Sequence, residues 1–175
     1  MAELIAYFSR AHENYVSGAI KNLKVGNTEV AARMIQQLTG AVLFSIEPVQ
    51  PYSPDYNQCI AQAQADQRRD ARPELKAYPE RMDDYDTIYL AYPNYWSTMP
   101  MAVFTFLEHF DFAGKTILPL CTHEGSGMGN SLQDIRRLCP GAKVMEGLAI
   151  RGGTVENARP AIENWLRQSG KLPIK

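Results

Sequence analysis

Three stretches of the sequence carry residue types that could do chemistry together. Ser9-Arg10 ends a short apolar run, and Gly26-Asn27-Thr28 stands at the start of a helical pattern. A helix N-terminus presents free N–H groups and the positive end of the helix dipole; the hydroxyls of Ser9 and Thr28 and the Asn27 amide add neutral donors, a set suited to a phosphate. Asn and Thr also cap helices routinely, so this stretch alone does not define a site. The second stretch, Tyr92-Pro93-Asn94-Tyr95-Trp96-Ser97-Thr98-Met99-Pro100, places two large aromatics just past an apolar run. The third, Thr122-His123-Glu124-Gly125-Ser126-Gly127-Met128-Gly129, is glycine-rich. Its glycines allow positive φ and close approach of the backbone to a flat ligand, or simply a tight turn. Together the three offer phosphate donors, stacking rings and a backbone-lined slot: a place for a planar ring system bearing a phosphate.

These loops can meet only if the elements between them bring their ends to one edge. Leu4–Phe8, Ala41–Ile46, Thr87–Tyr92, Thr116–Cys121 and Lys143–Ile150 read as strands, and the near-continuous apolar runs among them suit strands buried on both faces. Helical spacing follows each: Val30, Ala31, Met34, Ile35 and Leu38 before Gly40; a helix-favouring stretch within Asp55–Ala71; Met101–His109; Leu132, Ile135 and Leu138; and Val155–Gln168. Asn27 or Thr28 is expected to cap the first helix, Ser97 or Thr98 the third, and Pro93-Asn94 to turn the chain. Strict alternation of strands and helices predicts one α/β fold, a five-stranded parallel sheet wound on both sides, spanning 1–175. In such sheets ligands bind at the carboxyl ends of the strands. The connection Arg10–Asn27 far exceeds the usual length of about two to six residues. Around Ser17-Gly18 it alternates like a small hairpin, a flap inserted at about 11–25.

Composition narrows the classes. A formal net charge of −1 supplies no basic surface for nucleic acid. The 3 cysteines form no Cys-x-x-Cys pair, pointing to a reducing, cytoplasmic compartment without disulfides. The N-terminal apolar run is too short to span a bilayer. A receiver-type switch would need Asp at the end of the third strand, where Ala91-Tyr92 stands, and Gly125–Gly129 lacks the third glycine of a dinucleotide fingerprint. His12 and His123 are lone loop histidines that could donate to a ligand. Cys121 reads as core, and Ser126 lacks a nucleophile frame. An apolar face of the flap or of the third helix could support a homodimer.

Along its whole length the chain resembles the flavodoxin-like flavoproteins. Tyr7-Phe8-Ser9-Arg10 with Gly26-Asn27-Thr28 is similar to the family's phosphate loop, Tyr92–Pro100 to its first isoalloxazine loop and Thr122–Gly129 to its second. One departure is the flap, which separates Ser9 from the Gly-Asn-Thr triplet. The resemblance implies strand order 2-1-3-4-5, carried over from the family, and FMN as cofactor. Its contact set would be Ser9, Arg10, Gly26, Asn27, Thr28, Pro93, Asn94, Tyr95, Trp96, Thr122, Glu124, Gly125, Ser126 and Gly127. Ser9, Asn27 and Thr28 would take the phosphate with Arg10 as charge partner, and Tyr95 or Trp96 would cover the ring. The expected activity is electron transfer from NAD(P)H, through FMN, to a quinone or similar small acceptor. The alternative is a one-electron carrier between protein partners; such carriers are strongly acidic, and this chain is not.

Overall fold

The computed structural model describes residues 2–174. Strands are β1 (Ala2–Tyr7), β2 (His12–Val16), β3 (Ala19–Leu23), β4 (Val42–Ser45), β5 (Tyr85–Pro93), β6 (Thr116–His123), β7 (Lys143–Val144) and β8 (Leu148–Arg151). Helices are α1 (Asn27–Thr39), α2 (Tyr56–Arg68), α3 (Met101–His109), α4 (Ser131–Leu138) and α5 (Arg159–Gln168). The main sheet runs β4-β1-β5-β6-β7, all parallel, with β8 also paired to β6. This is the order 2-1-3-4-5 of a doubly wound α/β fold.

Alternation within each strand builds two cores. Leu4, Ala6 and Phe8 of the first strand segment, with Ile88, Leu90 and Tyr92 of β5, pack against α3 and α4. Ile5 and Tyr7, with Tyr89 and Ala91, pack against α1 and α5. Both faces are therefore dry, which explains the continuous apolar runs. Helix α3 buries Met101, Ala102, Val103, Phe104, Phe106 and Leu107. Its apolar surface is spent on the core, and half-exposed apolar side chains occur instead on the flap, at Tyr15 and Ile20.

Several boundaries differ from the sequence reading for identifiable reasons. Strand β5 does not turn at Pro93: the ladder continues through Pro93 opposite Thr122, and Asn94 N–H donates to the Thr122 carbonyl at 2.8 Å. The turn follows at 95–98, where Tyr95 and Thr98 form an isolated antiparallel bridge. The fifth strand divides into β7 and β8. Between them the Glu146 carbonyl accepts from the Trp165 indole at 3.0 Å, and a Cβ on Gly147 would overlap the Met128 methyl, so the backbone leaves the ladder there. After β8 the chain makes a 3-10 turn, Gly152–Asn157, so α5 begins at Arg159 instead of Val155.

The caps also differ. Gly26 is the N-cap of α1, which puts Asn27 and Thr28 inside its first turn. Pro100 caps α3, while the Thr98 hydroxyl donates to the Asp134 carboxylate of α4. Gly40 ends α1 in the left-handed conformation, φ 75°, its N–H donating to the Gln36 carbonyl.

Residues His12–Leu23 form an antiparallel hairpin outside the main sheet, with Ser17 and Gly18 at φ 51° and 86° as its turn. The Arg10 guanidinium anchors its base, donating to the Glu13, Ser53 and Pro54 carbonyls. Glu13 completes the anchor: its N–H donates to the Pro54 carbonyl, and its carboxylate accepts from Tyr56 N–H at 2.9 Å. Asp55 caps α2 by accepting from Gln58 N–H at 2.9 Å.

Candidate functional site

The order of strand connection reverses between β1 and β5, and the carboxyl ends of these strands and of β6 open onto one cavity of about 520 Å³. At its first end the flap leaves and re-enters almost at one point. A Cβ on Gly26 would overlap the Ser9 hydroxyl, so Ser9 and Gly26-Asn27-Thr28 are neighbours in space despite the insertion between them. Ser9 Oγ accepts from Glu29 N–H at 3.0 Å, which satisfies one orphan donor of α1 and leaves the hydroxyl hydrogen free to donate. The Thr28 and Thr122 hydroxyls pair at 2.8 Å, both buried, and tie α1 to β6.

The aromatic loop is held by its polar atoms. Asn94 Nδ2 donates to the Gly127 carbonyl at 2.8 Å, and its Oδ1 accepts from Ser97 N–H at 3.0 Å. This turn places Trp96 and Ser97 at φ 54° and 74°. Trp96, 44% exposed, donates its indole N–H to the Ile60 carbonyl of α2 at 2.9 Å. Tyr95 lies deeper, edge-on to Phe8 at 5.8 Å and beside Tyr52 at 6.1 Å. Burial raises its hydroxyl far above the ordinary range. A Cβ on Gly129 would overlap the Ser97 carbonyl; this glycine lets the aromatic loop and the glycine-rich loop touch.

In the loop after β6, His123 Nδ1 accepts from Gly125 N–H at 2.9 Å. Burial, then the Arg151 guanidinium, hold the imidazole below its usual range. At neutral pH it is therefore the uncharged tautomer with hydrogen on Nε2, a donor bordering the cavity. Glu124 Oε2 accepts from Ser17 N–H of the flap tip at 3.3 Å, and its Oε1 is buried with no donor. Burial pushes the Cys121 thiol up to about 12, so it is a packed core group and not a redox thiol.

Of the residues singled out in the sequence, Ser9, Arg10, Asn27, Thr28, Pro93, Asn94, Tyr95, Trp96, Thr122, Glu124, Gly125 and Ser126 border the cavity, as does His123. Gly26 and Gly127 do not: Gly26 is buried under Ser9, and Gly127 serves through its carbonyl, which Asn94 holds. Arg10 borders it with its side chain committed to the flap base, and its Nε is buried without a partner. His12 and Val25 lie outside. The sequence reading missed the opposite wall. Asn14 and Tyr15 of the flap, Tyr56, Cys59, Ile60 and Ala63 of α2, and Gly152 complete the lining. Tyr15 and Tyr56 face each other at 6.2 Å. The i, i+3, i+4, i+7 spacing of Tyr56, Cys59, Ile60 and Ala63 was the available signal, hidden in an Ala- and Gln-rich stretch.

The site combines a helix N-terminus and the Ser9 hydroxyl at one end with aromatic and backbone walls at the other, an arrangement suited to an anion and a flat ring. Fold and site together define a flavodoxin-like α/β protein with its ligand cavity at the sheet switch point. The chain belongs to the flavodoxin family, whose model matches residues 4–169. No curated protein matches it. Among solved structures, a candidate flavoprotein from Bacteroides eggerthii is 27% identical over 99% of both chains, with TM-score 0.75. A candidate flavoprotein from Bacteroides uniformis is 25% identical over 93% of this chain and 97% of its own, with TM-score 0.72. A Lactobacillus acidophilus flavoprotein in complex with FMN shares the fold at 17% identity, covering 89% and 97%, with TM-score 0.59. Among the described residues no helix is long and apolar enough to cross a membrane.

Proposed function

We propose that this chain binds FMN in the cavity and acts as an oxidoreductase that passes electrons from NAD(P)H to a quinone or similar small acceptor. The observation that carries the reading is the closure of Ser9 onto the N-terminus of α1 in the same cavity as Tyr95 and Trp96. Arg10 borders the same cavity with its guanidinium committed to the flap base. The residues fit the group: the free N–H groups of α1, Ser9 Oγ–H and Asn27 would hold the phosphate, and Tyr95 and Trp96 would flank the ring. Likeness to the two Bacteroides candidate flavoproteins supports this assignment.

Bound FMN would supply the redox chemistry, taking hydride from a nicotinamide and passing electrons onward. This chain's residues bind, orient and exclude water. Asn94 fixes the aromatic loop against Gly127, and Trp96 joins that loop to α2. His123 holds a proton on Nε2 at the cavity edge, available to hydrogen-bond a ring carbonyl or an acceptor oxygen. The near-neutral net charge favours a small acceptor over docking to a basic protein.

The test is a visible spectrum of the purified protein before and after incubation with excess FMN and removal of the unbound fraction. Flavin bands that travel with the protein, and that weaken in Trp96→Ala, support the site. NADH or NADPH oxidation with quinones then supports the enzyme over the carrier. A protein that stays colourless and retains no FMN overturns the reading.

A further inference from the structure

A second cavity, of about 440 Å³, opens beside the first, between the C-terminal end of α2 and the N-terminal ends of α3 and α4. Trp96 borders both. Its indole N–H is held by the Ile60 carbonyl and the ring is 44% exposed, so the second cavity has a fixed, flat wall. Met101 and Phe104 of α3 add apolar surface.

The charged part of the lining is balanced. Asp70 pairs with Arg72 at 2.8 Å and Asp134 with Arg137 at 3.2 Å, and Asp134 also accepts from the Thr98 hydroxyl. Three side-chain amides remain. Gln67 Nε2 donates to the Trp96 carbonyl at 2.9 Å, which orients that amide and leaves its Oε1 as an acceptor. Asn130 caps α4 with no side-chain hydrogen bond, and Gln133 is exposed in the first turn of the same helix.

Neutralised carboxylates hold little for a cation. An indole face stacks on a base, and a side-chain amide pairs with adenine through the exocyclic amine and a ring nitrogen. The lining therefore suits an uncharged, flat heterocycle with donors and acceptors along its edge. A nicotinamide dinucleotide carries such a group, adenine, at the end remote from the nicotinamide. With the nicotinamide on a ring beside Tyr95 and Trp96, the rest of the donor leaves the first cavity past Trp96 and meets the second.

We propose that the second cavity binds the adenine of the electron-donating dinucleotide. Trp96 is its stacking wall, Gln67 Oε1 accepts from the exocyclic amine, and the Asn130 and Gln133 amides meet the rest of its edge. One indole then joins the cofactor site to the donor site. This inference rests on the FMN and NAD(P)H reading above.

The test follows the reductive half-reaction of FMN-loaded protein, with no acceptor present, as loss of the flavin band in stopped flow. Three donors are compared: NADH; deamino-NADH, in which a carbonyl replaces the adenine amine; and reduced nicotinamide mononucleotide, which has no base. The second-order rate constant for NADH is expected to exceed that for the mononucleotide by about tenfold or more and that for deamino-NADH by about fivefold. Gln133→Ala should lower the NADH value severalfold and so narrow its lead over the mononucleotide. Free adenosine should slow reduction by NADH and not by the mononucleotide. Equal rates for NADH and the mononucleotide, deamino-NADH as fast as NADH, or a lead that Gln133→Ala leaves intact would each overturn the proposal. So would a loss in Gln133→Ala shared equally by both donors, or adenosine slowing both equally, which would put the base on the flavin ring instead. In all these cases the flavin is bound and reduced, and the FMN reading stands. If FMN is bound and no nicotinamide donor reduces it, the donor reading and this inference fall together; if no flavin is bound, the cofactor reading falls with them.

Discussion

Thr28 shows how one side chain serves two levels of organisation. Its hydroxyl is buried against that of Thr122, so it cross-links the first helix to the fourth strand of the sheet order while its backbone lies in the first turn of α1. Thr28→Val keeps the shape and leaves the Thr122 hydroxyl without its partner. The expected loss is about 1–3 kcal/mol of stability, read from the urea midpoint with an unchanged slope. His123 gives a second prediction, from the direction of its shift. Folding lowers its affinity for protons, so below about pH 6.5, the ordinary value, the unfolded chain binds more protons than the folded one. Its contribution to stability is complete above that value and is lost as pH falls toward the folded midpoint. NMR titration should place the His123 midpoint below 6.5 and, at neutral pH, find the hydrogen on Nε2; a midpoint above 6.5 would contradict the Gly125 and Arg151 environment.

The flap is the element that departs most from a compact strand-to-helix loop. Only Val16 among its strand residues is buried, whereas its polar atoms reach to α2 on one side and to Glu124 on the other. It therefore contributes little to the cores and much to covering the cavity. Replacing 11–25 by a short flexible linker should leave the far-ultraviolet circular dichroism of the main sheet and helices essentially unchanged. FMN release should accelerate by about tenfold or more, the scale of one or two lost charge-assisted hydrogen bonds. Loss of the folded spectrum would show that the hairpin is part of the folding unit. Helix α2 presents a related case: Trp96 and Gln67 clamp it to the aromatic loop through Ile60 and the Trp96 carbonyl, which fixes its lining residues beside that loop.

At the scale of the whole molecule, 18 basic and 19 acidic side chains leave almost no net field. Long-range steering of a charged partner is correspondingly weak, and salt has little to screen. Reduction of an uncharged quinone by the loaded protein should change less than about twofold between roughly 20 and 300 mM salt. A steep fall with salt would indicate docking through a local charged patch and favour a protein partner.

Much of the fold was legible because its signals are local. Runs such as Ile88–Tyr92 and Ile117–Cys121 must be buried on both faces, and helical spacing between them leaves a doubly wound parallel sheet as the economical arrangement. The residue types of three loops led to the expectation of an anion and a flat ring, and nine of the residues that carry it, Ser9, Asn27, Thr28, Asn94, Tyr95, Trp96, Thr122, Glu124 and Gly125, border one cavity. Tertiary structure decided what depends on contacts between distant segments. Gly26 had to close on Ser9 across an insertion, and Pro93 stayed in the ladder because its partner Thr122 belongs to another strand. The wall from α2 joined the cavity through Trp96, and the Glu124 carboxylate meets Ser17 of the flap only because the chain folds the two segments together. Period and composition determine which face of an element is apolar; they carry no record of which remote backbone atom will stand within hydrogen-bond reach.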